Sequence, residues 1–268
     1  MDTMNRFMVA AIVFSIVSGC ASAGPGGTVD PTPTPAPTPT VGQTPTPTSA
    51  PTPSSTPSIQ DIWDFQPLAP IEPGTYFIDP DLDPSTPLRV VYEVPVEGWS
   101  MWAGATKFND DDGHVAVSIT TVVNLVSDGC SDHSWADPPV GPSVDDLATA
   151  LAALAPFHVT SSPKDVTIYG YSGTYLELTV PDLPVEGVGD RVFTGCVGRQ
   201  LKSWVAPFDT EEPGDAFYGY TGPGYSEQFW ILDVGGARLM IAAEQSRGSP
   251  AEDIAEMRAI LDSIRIEP

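Results

Sequence analysis

Basic residues are the scarcest feature of this chain. Lys and Arg number 11 against 35 Asp and Glu, and the formal net charge is -24. Charge-driven binding to nucleic acid or to anionic lipid needs basic patches, so both are excluded. Only 3 histidines occur, His114, His133 and His158, which leaves few side chains for proton transfer near neutral pH. With 3 cysteines in the whole chain, a Cys-rich zinc site is excluded as well. No N-x-[ST] acceptor for N-linked sugar is present. The glycine loop Gly219-Tyr220-Thr221-Gly222-Pro223-Gly224 lacks the lysine and the spacing of a phosphate loop. No catalytic or cofactor motif rises above background, and the chain implies no cofactor.

Long hydrophobic runs are missing too. The apolar stretch Phe7 to Val17 is about eleven residues, well short of the roughly twenty that span a bilayer. It has the length of a signal-peptide core and follows Arg6. After it comes Val17-Ser18-Gly19-Cys20, which resembles the bacterial lipobox. That resemblance implies a signal peptide over 1–19, diacylation of Cys20 through its sulfur, and attachment to the outer face of the cell membrane by lipid. Ala21-Ser22-Ala23 offers the alternative, an A-x-A cut that would discard Cys20 and release the protein. Removing Cys20 for lipid leaves Cys130 and Cys196 as an even pair in an oxidising compartment, and a disulfide between them is expected.

What the chain does have is proline, 30 residues of it. Much of it lies in the Pro/Thr tract of residues 20–58, with PTPTPAPTPT and TPTPTSAPTPSSTP almost free of charge. Alternating proline favours polyproline II, and at about 3.1 Å per residue Pro31 to Pro57 would hold the rest of the chain roughly 80 Å from its anchor. Residues 59–268, about 210 in number, suffice for a single domain with one core.

Strand patterns dominate that domain. Leu88, Val90, Tyr92 and Val94 alternate onto one face, and Pro95 ends the strand. Trp99 to Phe108 and His114 to Val126 read as a hairpin across the acidic turn Asn109 to Gly113. Lys164 to Tyr169 and Thr174 to Val180 flank the turn Gly170 to Gly173, and Gln228 to Val234 and Ala237 to Ala243 flank Gly235-Gly236. Gln200 to Val205 reads as a further strand. One helix starts at the capping box Ser143 to Asp146, with Val144, Leu147, Leu151 and Leu154 on its apolar face. A second starts at Ser249-Pro250-Ala251-Glu252, with Ile254, Met257, Leu261 and Ile264 facing inward.

Mostly antiparallel strands with two separated helices describe an α+β sandwich. VPVEGW at 94–99, GYSGTYLELTVP at 170–181, FWILDVGGARLMIAA at 229–243 and the closing LDSIRI at 261–266 are similar to the PsbP/Mog1-like sandwich lipoproteins of bacterial envelopes, among them the LpqN-like group. The resemblance implies a non-catalytic scaffold for protein or small-ligand contact and brings no functional residue set.

Candidate sites are few. Gly170-Tyr171-Ser172-Gly173-Thr174 nearly matches the nucleophile elbow, but its flanks read strand-turn-strand where an elbow needs strand-turn-helix. His133, beside Cys130, is the histidine placed best for hydrolysis. Asp79, Asp81 and Asp83 alternate on an extended segment, and Asn109 to Gly113 resembles a calcium loop out of register, so neither defines a metal site. Tyr171, Tyr218, Tyr220 and Tyr225 lie around the two glycine turns and could stack on a sugar ring or anchor a protein partner. The expectation is a lipid-anchored, extracytoplasmic envelope protein that binds an envelope protein or glycan without catalysis. A hydrolase with a carboxylate site and an accessory subunit of an envelope complex are the alternatives.

Overall fold

The computed structural model describes residues 59–109, 113–187, 192–207 and 217–267. The expected signal peptide, Cys20 and the Pro/Thr tract lie outside the described residues, as do Asp110 to Asp112 of the acidic turn.

The centre of the fold is an eight-stranded antiparallel sheet. Numbered in chain order, its strands lie in the sequence β10 (His158–Ile168), β11 (Tyr171–Thr179), β16 (Ser226–Val234), β17 (Ala237–Gln245), β7 (His114–Thr121), β6 (Gly104–Phe108), β5 (Trp99–Met101) and β2 (Pro70–Ile71). Both faces are covered, which is why β16 and β17 read as almost continuous apolar runs rather than as alternating ones. On one face, Leu232, Val234, Leu239, Ile241, Val115, Val117 and Ile119 join a core closed by helix α2 (Ala251–Ser263) and a second sheet. That sheet has the order β1 (Gln60–Asp61), β3 (Gly74–Ile78), β4 (Arg89–Val94) and β18 (Arg265–Glu267). On the other face, Leu176, Leu178, Phe229, Ile231, Met240 and Ala242 pack with helix α1 (Val144–Ala153) and a third sheet. Its order is β15 (Phe217–Tyr220), β14 (Leu201–Val205), β8 (Asn124–Asp128) and β9 (Asp132–Trp135). A small pair, β12 (Val185–Glu186) and β13 (Val192–Phe193), completes the described strands. The class is α+β.

The Cys130–Cys196 disulfide is present and joins the β8–β9 turn to the segment before β14. The α1 capping box is complete: Ser143 accepts the Asp146 amide, and Asp146 accepts the Ser143 amide. Gly235 and Gly236 turn with positive φ of 63° and 95°, as a tight hairpin requires.

Several expectations are corrected by backbone detail. Trp99 to Phe108 is two strands, because Ala103 and Gly104 adopt positive φ and fold β6 back on β5. The run from His114 is likewise broken after Thr121, sending Leu125 into the opposite core from Ile119. The β10–β11 turn falls at Tyr169-Gly170, both at positive φ, so Ser172 lies within β11 opposite Thr167 and heads no elbow. Ser249 does not cap α2; Pro250 occupies the cap position, and the Ser249 hydroxyl donates to the His114 carbonyl at 2.7 Å.

β10 forms one edge of the central sheet among the described residues. Most of its length is exposed, its pairing with β11 is interrupted by two register shifts, and Pro163 and Lys164 sit within it.

Candidate functional site

Among the described residues, polar side chains gather beside α1 in a cleft open to solvent and under the third sheet in a sealed cluster. The cleft measures about 350 Å3 and lies at the start of α1. Cross-strand pairing builds its floor: Asp165 of β10 faces Thr174 of β11, and Asp233 of β16 faces Arg238 of β17. Helix α1 contributes Asp145, whose Oδ1 accepts the Thr174 hydroxyl at 3.3 Å. Asp233 accepts the Gly236 amide at 2.8 Å, fixing the rim at the hairpin turn.

Arg238 sets the width of the cleft by bonding backbone rather than carboxylate. Its guanidinium donates to the carbonyls of Gly141, Ser143 and Val122 (2.9 Å for Val122), tying the segment before α1 to β17. Burial pulls its pKa below the usual arginine value, with the Asp146 charge opposing. Gly173 sets the depth. A Cβ there would lie 2.0 Å from the Ile231 carbonyl oxygen, so only glycine lets β11 and β16 pass this closely. Three exposed carboxylates and the exposed Ser172 thus rim one hollow, with Thr174 buried beneath them and its hydroxyl bonded to Asp145, a set of polar groups that matches the hydroxyl groups of a polyol.

The sealed arrangement lies under the β14–β15 hairpin. Glu227 and Glu244 are opposite one another on β16 and β17, and only 2% and 0% of their surface is exposed. Tyr218 donates its hydroxyl to Glu244 Oε2 and Tyr220 donates to Glu227 Oε2. Trp204 Nε1 donates to Glu227 Oε1 at 3.3 Å, and the Tyr220 hydroxyl also lies 3.0 Å from Ser203 Oγ. Tyr218 stacks on Trp204 at 4.5 Å. Glu244 Oε1 is buried with no hydrogen-bond partner. Burial, with the Glu244 charge second, pushes Glu227 up to about 8, and burial pushes Glu244 up to about 7. Both tyrosines are raised well above 10 by burial and by the carboxylates beside them.

The tyrosines named from sequence do not form one exposed platform. Tyr218, Tyr220 and Tyr225 belong to the core under the third sheet, at 9%, 6% and 6% exposure. Tyr171 is half-buried and packs with the opposite core. The alternation of β15 turns Tyr218 and Tyr220 inward, so no ligand stacks on them while the hairpin is in place. His133 is held by the loop it follows, its Nε2 donating to the Gly129 carbonyl at 3.0 Å. Asp79, Asp81 and Asp83 each accept a backbone amide from their own turn. Among the described residues, no group of three or more His, Cys, Asp or Glu side chains is arranged to hold a metal ion.

Sequence reading missed both arrangements. For the sealed pair the signal was present: Glu227, Phe229 and Ile231 share one parity, as do Met240, Ala242 and Glu244. Bounding the strands at Gln228 and Ala243 left both glutamates just outside. The cleft had no local signal, because its five contributing segments span residues 142 to 238.

No known protein family, curated protein or solved structure matches this chain.

Proposed function

We propose that the chain is a lipid-anchored envelope protein of the PsbP/Mog1-like sandwich kind, whose folded domain binds a polyhydroxylated, glycan-type ligand without catalysis. The observation that carries the ligand class is the cleft beside α1, where Asp145, Asp165, Asp233, Ser172 and Thr174 gather on elements braced by Arg238. Carboxylates and hydroxyls accept and donate to sugar hydroxyls, and preorganised partners lower the ordering cost of binding. The lipobox, the Pro/Thr tract and the disulfide support placement outside the cytoplasm.

The test is thermal unfolding of the full-length chain with soluble cell-wall glycan fragments. At about 100 times its dissociation constant a ligand adds roughly 2.7 kcal/mol, and the midpoint should rise by roughly 5 to 10 °C. The doubly substituted Asp165→Asn/Asp233→Asn chain should lose that rise while keeping its ligand-free midpoint. A wild-type midpoint unmoved by every fragment rejects the glycan reading and directs the search to a protein partner. The same three carboxylates favour a second reading, hydrolysis of that glycan, and chain-shortened products in the incubated mixture would establish it in place of simple binding.

A further inference from the structure

We propose that Glu227 and Glu244 form a proton-dependent latch: while both carboxyls are protonated they hold the β14–β15 hairpin against the central sheet, and their ionisation loosens it.

The geometry leaves little room for charge. The two side chains project from neighbouring strands toward the same hairpin, and both are sealed from solvent. Their sheet neighbours on the outer sides are Leu178 of β11 and Ala116 of β7. From above come Ser203 and Trp204 of β14 and Tyr218 and Tyr220 of β15. Tyr225, whose hydroxyl pairs with Thr221, packs edge-on against Tyr220, and His114 of β7 lies against Tyr225. Lys202 of β14 is also buried, but the ion pairs among the described residues include neither glutamate. Two carboxylates side by side in a dry core repel each other and lose their hydration, whereas a protonated pair avoids both costs. The side-chain hydrogen bonds to the glutamates all come from β14 or β15. These donors favour the ionised form, but burial, joined at Glu227 by the neighbouring charge, outweighs them, so the cost of ionisation falls where that hairpin seals the pair from water.

The direction of the pH effect follows. The folded chain keeps protons that the unfolded chain gives up near pH 4.5, so stability falls as pH rises, and the fall is complete once Glu244 near 7 and Glu227 near 8 have ionised. Burial pulls His114 down to about 4, which makes stability rise with pH up to the unfolded histidine value of about 6.5. Above that value the His114 contribution no longer changes with pH.

Amide hydrogen exchange on the full-length chain between about pH 6.5 and 8.5 tests the latch, with rates corrected for intrinsic base catalysis. Each proton released is worth about tenfold in the opening constant per pH unit. Protection in β14 and β15 should therefore fall by about tenfold or more, while β6 and β7 change less. The Glu227→Gln/Glu244→Gln chain, uncharged at these two positions at every pH, should keep near-constant protection and melt higher than wild type at about pH 8.5. Unchanged wild-type protection of β14 and β15 across this range overturns the proposal, and this comparison needs no variant. An equally steep pH dependence in the glutamine chain, or in Glu244→Gln alone, also overturns it.

Discussion

A few single residues fix the close approaches on which the candidate site depends. Gly173 has the sharpest requirement, since its missing Cβ is what lets the Ile231 carbonyl sit against it. Gly173→Ala forces backbone to move and should cost about 1–3 kcal/mol, as overpacking does, lowering the midpoint by roughly 3 to 10 °C. Weakened glycan binding should accompany the loss, because the same shift deforms the cleft floor; a variant that melts and binds like wild type would show that β11 and β16 can separate freely. Lys107 works differently, bridging Asp253 and Glu256 at 2.6 Å each and pinning the first turns of α2 to β6. Burial lowers its pKa and the two carboxylates outweigh that, leaving it above the ordinary lysine value. Asp253 and Glu256 show why polar residues on helices escape a reading by hydrophobic period: the period marks Met257 and Leu261, and says nothing of which acids meet a cation.

Among the elements, the third sheet depends most on long-range constraint. Its strands come from distant parts of the chain, and the Cys130–Cys196 bond closes a sequence separation of 66 residues. In the loop-entropy picture a closure of that length is worth about 4 kcal/mol. Cys130→Ser/Cys196→Ser should therefore lower the midpoint by roughly 8 to 16 °C, read by calorimetry against the oxidised wild type; an unchanged midpoint would mean that packing alone holds this sheet. The elements legible in sequence were those whose signals are local. The capping box at Ser143, the Gly235-Gly236 turn and the apolar period of α1 each act within a few residues, and they were placed correctly. β2 and β18 were missed because each is short and is ordered by a partner farther away in the chain, while β1, β3 and β9 pair with strands near them in sequence but are only two to five residues long. The division of Trp99 to Phe108 had no signal short of the backbone itself, since Ala103 is an ordinary residue in a left-handed conformation.

At the scale of the whole molecule, acidity bears on the proposed tethering. A net charge of -24 disfavours adhesion to anionic surfaces, so the proposed membrane attachment would have to come from lipid. Among the described residues, no helix is long and apolar enough to cross a membrane. If Cys20 carries the anchor, Cys20→Ser should move the protein from the membrane fraction to the medium. Equal membrane retention of the two forms, followed by fractionation and blotting, would reject the lipobox reading in favour of the A-x-A cut or another mode of attachment.

If the chain is tethered as proposed, its copies would be held at a local concentration far above that of free solution, where any open strand edge becomes a template for the next chain. The β10 edge is protected against this. Its register shifts bend the ladder, Pro163 removes a donor, and Lys164 would be desolvated by an incoming strand. An edge that crowding would otherwise turn into a polymerisation front is thereby kept from propagating, and neighbouring copies can stand close without zipping together.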